Sequence, residues 1–312
     1  MAKKQKTFKP KARVPRGFRD MAGDELYLQR RMIATISDVY QSHGFDALDT
    51  SAFEYADALG KFLPDEDRPN AGVFALEDDD KQWLSLRYDL TAPLARYVAE
   101  HYDALPKPFR RYQWGPVWRN EKPGPGRYRQ FLQIDADTVG AANMGADAEI
   151  CMMAADCMAA LGIAQGDYVV RINNRKIMDG LLQRIGLEAE QPDYETRRLV
   201  ILRAMDKYDR LGLAGVRDLL GSGRRDESGD FTPGADLEDT QIDAVAGLVS
   251  AVGDTRPDML DALEKQVGET PAGAEGIAEL RQMDALFTRL GYGVDRLCID
   301  PAVVRGLGYY TG

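Results

Sequence analysis

The chain has 312 residues, of which 44% are hydrophobic and 29% charged, and its 40 Lys and Arg against 50 Asp and Glu give a formal net charge of −10. This composition is typical of one large or two medium globular domains, and the acidic balance disfavours a protein whose whole surface tracks nucleic acid. No apolar run approaches the ~20 residues needed to cross a bilayer. Three cysteines without metal-binding spacing predict reduced, buried thiols, so we expect a cytoplasmic protein that does not use a membrane.

The first third of the chain predicts a basic flexible tail followed by mixed helix and strand. Residues 1–16 are polar and rich in lysine, and residues 25–40 repeat apolar side chains at helical spacing up to a stop at Gly44. A strand is expected at 45–53 and a hairpin from 72–75 and 82–87 around an acidic turn. Asp89 or Thr91 can then cap the next helix.

Residues 114–140 predict two strands joined by the rigid turn Pro123-Gly124-Pro125-Gly126. Because side chains alternate across a strand, Arg119 and Glu121 share one face of the first strand. On the second strand the shared polar face is formed by Gln133, Asp135 and Asp137. Spacing alone leaves two interpretations of this polar face open: a solvated sheet surface or a ligand site.

The remainder of the chain is expected to be largely helical. A helix at 147–161 and a strand at 168–173 precede a region, 176–290, in which helical windows recur and strand signals vanish. Basic side chains in this region could face a polyanion, although a solvated helix face is the commoner reason for such spacing (Lys207, Arg210, Arg217, Arg224 and Arg225). Strand character returns at 294–299.

Four stretches together resemble the histidyl-tRNA synthetase family. The hairpin is similar to motif 2 of class II aminoacyl-tRNA synthetases. Residues 86–93, LRYDLTAP, resemble the family's amino-acid loop, residues 126–131, GRYRQF, its motif 2 loop exit, and residues 305–310, RGLGYY, its signature arginine-tyrosine stretch. An ordered set of this kind is far more specific than a lone Arg-x-Glu.

The resemblance implies an α+β fold, a class II catalytic domain around an antiparallel sheet with a helical insertion. It divides the chain into the tail at 1–16, a first catalytic part at 17–175, the insertion at 176–290 and an incomplete return segment at 291–312. It also implies partners and substrates: histidine, histidine tRNA, ATP with Mg²⁺, and a second copy of the chain in a homodimer through the motif 1 region.

The resemblance also assigns roles to residues. Arg119 and Arg305 contact the α-phosphate as the catalytic arginines, Glu121 accepts from the adenine amino group, and Arg127 reaches the outer phosphates. Asp89, Thr91 and Gln133 hold the α-amino group of histidine, while Asp137, Tyr309 and Tyr310 belong to the side of the site that reads the imidazole. Asp135 receives no role, and no protein side chain is assigned to a metal.

Departures from the family pattern lead to a further expectation. Ser51 stands where the dimer motif usually has proline, and Gly308 replaces an acidic residue. Motif 3 and the anticodon-binding domain are not found in the 312 residues. We therefore expect a C-terminally truncated synthetase, with little or no aminoacylation activity from these residues alone.

Two alternatives stay open. One is the synthetase-like regulatory subunit of ATP phosphoribosyltransferase, which binds histidine as a signal, although a histidine sensor has no need for the Arg-x-Glu pair and Arg305. The other is a tRNA-binding or structural fragment, suggested by the basic tail.

Overall fold

The computed structural model describes residues 11–58, 72–225 and 229–304, and by its contacts the chain forms two compact units, Met1–Ala141 and Ala142–Gly312. Both units mix helices with strands, which confirms the α+β class. The predicted boundaries at 175/176 and 290/291 remain predictions, because the division by contacts concerns compactness and not catalytic role.

The first unit is built on the long central hairpin. Its helices are α1 (Asp24–Ser42) and α2 (Thr91–His101), and its strands are β1 (Asp46–Ala47), β2 (Phe53–Tyr55), β3 (Ala75–Glu77), β4 (Trp83–Leu86), β5 (Phe109–Trp118) and β6 (Gln130–Val139). Strands β5 and β6 pair antiparallel over their full ten residues, and β1 joins β5 in parallel. A second antiparallel sheet has the order β2-β4-β3.

Two sequence expectations for the first unit need correction. The single strand expected at 45–53 is two short strands, β1 and β2, which belong to different sheets. The first strand of the hairpin ends at Trp118, before Arg119 and Glu121. Just beyond it, the Arg119 N–H still donates to Arg129 O, and the Asn120 N–H donates to Gly72 O on another segment.

The second unit is mainly helical. Its helices are α3 (Met144–Ala160), α4 (Arg175–Arg184), α5 (Tyr194–Met205), α6 (Tyr208–Leu220), α7 (Asp239–Val249), α8 (Arg256–Val267) and α9 (Pro271–Arg289). Strands β7 (Val170–Ile172) and β10 (Leu297–Ile299) pair in parallel, and β8 (Gly223–Arg225) pairs antiparallel with β9 (Phe231–Pro233). The β8–β9 hairpin corrects the expectation of a strand-free region at 176–290.

Several helices of the second unit begin at capping side chains, and the helices surround one apolar core. Asn143, Asn174 and Thr270 each accept a hydrogen bond from a backbone N–H in the first turn of α3, α4 and α9. The core brings together fully buried side chains from α4 to α9, including Leu181, Ile201, Leu220, Leu248, Leu263 and Phe287.

Two further expectations concern cysteines and membranes. The three cysteines are free thiols, with Cys157 buried and Cys151 and Cys298 half-buried. Across the described ranges, the model contains no helix that combines the length and the apolar character required of a membrane span.

Candidate functional site

The polar face of the β5–β6 hairpin carries more charge than the sequence analysis assigned to it. The register places Arg111 opposite Asp137, Gln113 opposite Asp135 and Gly115 opposite Gln133. Arg111 and Gln113 are buried, and the three β6 residues are half-buried, so this face is not a simple solvated surface.

Arg111 is the cation at the centre of this face. Its Nη2 lies 2.8 Å from Asp137 Oδ2 and donates a hydrogen bond to Leu90 O at 3.0 Å. The alignment with Asp137 is that of an ion pair and not of a hydrogen bond, and Asp137 Oδ2 is buried without a hydrogen-bond partner in the described part of the chain. Burial lowers the pKa of Arg111, and the nearby Asp137, Asp135 and Asp89 oppose that change.

The carboxylates on this face are poorly solvated and repel one another. Burial raises the pKa of Asp135 to about 6, and Asp137 adds to the rise while Arg111 opposes it. Burial also raises the pKa of Asp137, against the effect of Arg111 and with the help of Asp89. Three carboxylates around one guanidinium leave an excess of negative charge, which a cationic ligand group would relieve.

Asp89 and Thr91 lie at the start of α2. Asp89 Oδ1 accepts from the backbone N–H groups of Thr91 and Ala92 at 3.1 and 2.9 Å, so Asp89 and not Thr91 performs the capping that the sequence left open. The Thr91 side chain is exposed. Gln133 Oε1, by contrast, is buried and has no hydrogen-bond partner among the described residues.

A cavity of about 400 Å³ opens at the turn end of the same face, and it is lined by Arg119, Glu121, Lys122, Pro123, Gly126, Arg127, Tyr128 and Phe131. The Arg119 guanidinium lies between two rings, 4.4 Å from the Tyr88 centroid and 5.0 Å from that of Phe131. Glu121 accepts a hydrogen bond from the Tyr88 hydroxyl at 2.7 Å. Arg119, Glu121 and Arg127 therefore share one cavity although the strand itself ends at Trp118.

The cavity and the carboxylate cluster lie along one strand. Phe131, Gln133, Asp135 and Asp137 alternate onto the same face of β6, so the two ends of the face are about 20 Å apart at roughly 3.3 Å per residue. The Arg119 guanidinium lies at one end of this face, and the Asp135 and Asp137 carboxylates lie at the other. This arrangement suits a ligand that is anionic at one end and cationic at the other.

The sequence analysis gave no site role to three buried polar residues of this region, Arg111, Gln113 and Arg87. Arg111 and Gln113 follow the same odd-numbered alternation as Arg119, so extending the predicted strand upstream to Phe109 would have found them. Arg87 is buried beside the strand, where its guanidinium donates to Pro116 O and Thr50 O, both at 2.9 Å. Arg87 is buried by contacts with residues distant in the sequence, so no periodic pattern around it predicts its burial.

The remaining predicted site residues, Arg305, Tyr309 and Tyr310, lie outside the described residues, as does Gly308. Among the described residues, no group of three or more His, Cys, Asp or Glu side chains is arranged to hold a metal ion.

Comparisons with known proteins agree with the resemblance. The family model described as histidyl-tRNA synthetase matches residues 17–312. Proteins named histidine–tRNA ligase from Bartonella bacilliformis and Bartonella quintana are 57% and 58% identical over the whole chain, and the chain spans 62% of the length of each.

The solved histidyl-tRNA synthetase from a Nostoc species has the same fold. Its TM-score is 0.79 at 29% identity, with 97% of this chain and 64% of that protein covered. A Bacillus halodurans protein, described as an ATP phosphoribosyltransferase regulatory subunit/histidyl-tRNA synthetase, shares the fold at 21% identity and a TM-score of 0.77. With its α+β architecture, its motif 2 hairpin and a family match over nearly its entire length, the chain belongs to the histidyl-tRNA synthetase family.

Proposed function

We propose that this chain carries the amino-acid-activating part of a histidine–tRNA ligase. The protein would join histidine to ATP as histidyl-adenylate, release pyrophosphate and transfer the histidyl group to histidine tRNA. The observation that carries the proposal is the single face of β6, with an arginine-lined cavity at the Phe131 end and buried carboxylates at the Asp137 end.

The cavity supports the ATP half of the proposal. Attack of a carboxylate on the α-phosphate brings two anions together, so a fixed guanidinium is the group best suited to neutralise the charge that develops. Arg119 is held between Tyr88 and Phe131 and would take this role together with Arg305. Glu121 would accept from the adenine amino group, Arg127 would reach the outer phosphates, and Mg²⁺ would arrive with them.

The carboxylate cluster supports the histidine half. We assign the α-ammonium group to Asp89, Thr91 and Gln133, and the imidazole to Asp137 with Tyr309 and Tyr310. Buried acceptors without partners, such as Gln133 Oε1, favour a ligand that donates hydrogen bonds at that point. A side chain without ring N–H groups would leave the buried Asp137 carboxylate without a hydrogen-bond donor, which is a physical basis for selecting histidine.

An exposed apolar sheet face supports the homodimer. Phe53, Tyr55 and Leu76 lie on one face of the β2-β4-β3 sheet, since Phe53 pairs with Leu86 and both Tyr55 and Leu76 pair with Leu84. Their exposed fractions are 42%, 56% and 45%, which is unusual for three neighbouring apolar side chains of this size. We propose that a second copy of the chain covers this face, in the cytoplasm, where the free thiols would stay reduced.

The dimer proposal is tested by sedimentation equilibrium of the wild-type chain and of Tyr55→Asp. We expect a dimer for the wild type and a large shift toward monomer for the variant, because a carboxylate buried in an apolar interface is costly. Val252→Asp is the control, since Val252 is 83% exposed in the other unit. Equal dimerisation of all three proteins would contradict the proposed interface.

The function is tested by calorimetric titration of the chain with histidine and, separately, with MgATP. We expect both to bind, histidine binding to fail in Asp137→Asn, and ATP binding to fail in Arg119→Ala. Histidine binding without ATP binding, together with activation of an ATP phosphoribosyltransferase, would favour the regulatory subunit instead. RNA binding with steep salt dependence and no affinity for histidine would favour the tRNA-binding fragment.

A further inference from the structure

Arg111 is a fully buried cation whose hydrogen-bonding capacity is only partly used. It is 0% exposed, and taking a guanidinium out of water is costly unless its N–H groups find acceptors. Nη2 contacts Asp137 and Leu90, but Nε and Nη1 are buried and have no hydrogen-bond partner within the described part of the chain.

A purely structural buried arginine in the same protein is satisfied differently. Arg256, 6% exposed, uses all three nitrogens: Nε donates to Asp284, Nη1 to Leu297 O, and Nη2 to Tyr292 O and Thr288. Arg111 thus combines deep burial with unused donors beside the carboxylate to which we assign the imidazole. That combination sets Arg111 apart from a buried arginine whose N–H groups are all used to hold the fold together, and it places an incompletely hydrogen-bonded guanidinium beside the carboxylate of Asp137.

Arg111 also connects the two groups of histidine-facing residues. Its Nη2 lies between Asp137 on β6 and the carbonyl of Leu90, which stands between Asp89 and Thr91 at the start of α2. One guanidinium therefore fixes the Asp137 carboxylate relative to the loop to which we assign the α-ammonium group.

We propose that Arg111 is a positioning residue of the histidine site, which keeps the Asp137 carboxylate ionised and oriented so that it can accept a hydrogen bond from the imidazole ring. The proposal rests on the histidine-binding function proposed above. It adds a residue that does not itself contact the imidazole but controls the charge of one that does.

Electrostatics around Asp137 supports this role. The charged groups that act on Asp137 or share its face are Arg111 on β5, Asp89 before α2 and Asp135 on β6. Burial and Asp89 both raise the pKa of Asp137, and Arg111 opposes them. Without Arg111 only burial and negative neighbours remain, so the pKa of Asp137 would rise further and the carboxylate would be protonated at a higher pH.

The experiment measures histidine affinity by calorimetry between pH 5.5 and 8.5 for the wild type, Arg111→Gln and Arg110→Gln. Arg110 is the matched control, because it is the neighbouring arginine on the other face of β5, donates to His43 O at 2.8 Å and stacks over Phe45. Arg111→Lys tests whether a charge without the guanidinium fork restores part of the function.

We expect the loss of affinity at low pH to begin at least one pH unit higher in Arg111→Gln than in the wild type. Below the onset in both proteins this shift corresponds to about a tenfold lower affinity in the variant, and the difference disappears toward pH 8.5. Titration of free histidine is the same for every variant and cancels in the comparison. Arg110→Gln should follow the wild type, and Arg111→Lys should lie between the wild type and Arg111→Gln.

An unshifted profile in Arg111→Gln, or a loss by the same factor at every pH, would overturn the proposal. If Arg111→Gln does not fold, Arg111→Met replaces it, because an apolar side chain of similar length is often tolerated in place of a buried charge. If the wild type does not bind histidine, the proposed function fails separately. A carbon-13 NMR titration of the Asp137 carboxyl in the free chain then decides the role of Arg111: a higher pKa in the variant supports it, and an equal pKa overturns it.

Discussion

Gly115 is the residue that makes room for a buried charge beside the site. A Cβ atom at Gly115 would clash with the Arg87 guanidinium, whose Nε and Nη1 are bonded to Pro116 O and Thr50 O. Because Arg87 is 4% exposed and held by these two carbonyls, it has little freedom to move away. Glycine is therefore required at position 115 to leave space for a packed side chain. It is not required by the backbone conformation, because φ at this position is not positive.

We expect Gly115→Ala to lower the free energy of unfolding by about 1–3 kcal/mol, as is typical of overpacking. The measurement is urea denaturation followed by circular dichroism. Gly124→Ala is the control, because a Cβ atom there meets nothing within 4 Å and the backbone has no positive φ. Equal stability of both variants would show that Arg87 can be displaced without cost.

Arg119 is the residue on which the nucleotide half of the site depends. Its guanidinium carbon lies 4.4 Å from the Tyr88 ring centroid and 5.0 Å from that of Phe131, and its Nε donates a long hydrogen bond of 3.4 Å to Tyr88 O. Lysine keeps the charge but cannot stack as a plane or present a fork to a phosphate.

We expect Arg119→Lys to weaken MgATP binding by about tenfold or more, the order of 1.4 kcal/mol, while histidine affinity changes little. Titration calorimetry with each ligand separates the two effects, and Arg110→Lys on the opposite face of β5 is the control. A parallel loss of histidine affinity would mean that Arg119 shapes the whole hairpin and not its nucleotide end alone.

The β5–β6 hairpin shows which features of a structural element can be predicted from the sequence. Its turn and alternation are local properties, so the hairpin, its polar face and the position of Gln133 and Asp137 on that face could be predicted. The ends of the strand could not, since strand ends carry no strong local signal: the expected strand began at Trp114 and ran through Glu121, whereas β5 runs from Phe109 to Trp118. Arg111 was missed because it lies before the expected start.

The buried carboxyl group of Asp135 on the hairpin face makes the free energy of unfolding depend on pH. Since burial raises the folded-state pKa of Asp135 to about 6, above the ordinary value of 3.8, the folded state binds this proton more tightly than the unfolded state. The resulting stabilisation is present at low pH and is lost as the pH rises from about 4 through 6. Above that range the ionised Asp135 lowers the stability of the fold.

We expect Asp135→Asn to be more stable than the wild type at pH 8, on the order of 1–2 kcal/mol, with the difference shrinking toward zero at pH 4. Urea midpoints at pH 4, 6 and 8 provide the measurement, and Asp79→Asn in the exposed turn is the control. A stability difference that does not vary with pH would contradict the assigned cause.

The α4–α9 pair illustrates close helix packing in the second unit. A Cβ atom at Gly180 would lie 2.7 Å from the Gly273 backbone and 2.8 Å from Thr270 Oγ1. Backbone cannot yield as a flexible side chain can, so Gly180→Ala should lower the free energy of unfolding by about 1–3 kcal/mol. Gly247→Ala, which would meet only the Gln266 side-chain amide at 3.5 Å, should be neutral or slightly stabilising. Thermal unfolding of the two variants tests this contrast, and a neutral Gly180→Ala would contradict it.

Over the whole molecule, the family resemblance implied the α+β class, while apolar periodicity and caps, which are local signals, predicted most helices. It did not foresee helix α6 as a separate element, which Gly212 interrupts with a φ of +64°, nor the β8–β9 hairpin between Gly-rich breaks. The chain spans 62% of the length of its Bartonella relatives, and the shared face of β6 is the physical basis for the activity proposed above.

The central claim is that the arginine-lined cavity and the carboxylate cluster form one site for histidine and ATP. Calorimetric titration of the chain with histidyl-sulfamoyl adenosine, an analogue of the adenylate, tests it most directly. We predict saturable binding that is weakened at least tenfold by Arg119→Ala and by Asp137→Asn, and much weaker binding of the alanyl analogue. Binding of the histidyl and alanyl analogues with equal affinity, or with no effect of either substitution, would contradict the account.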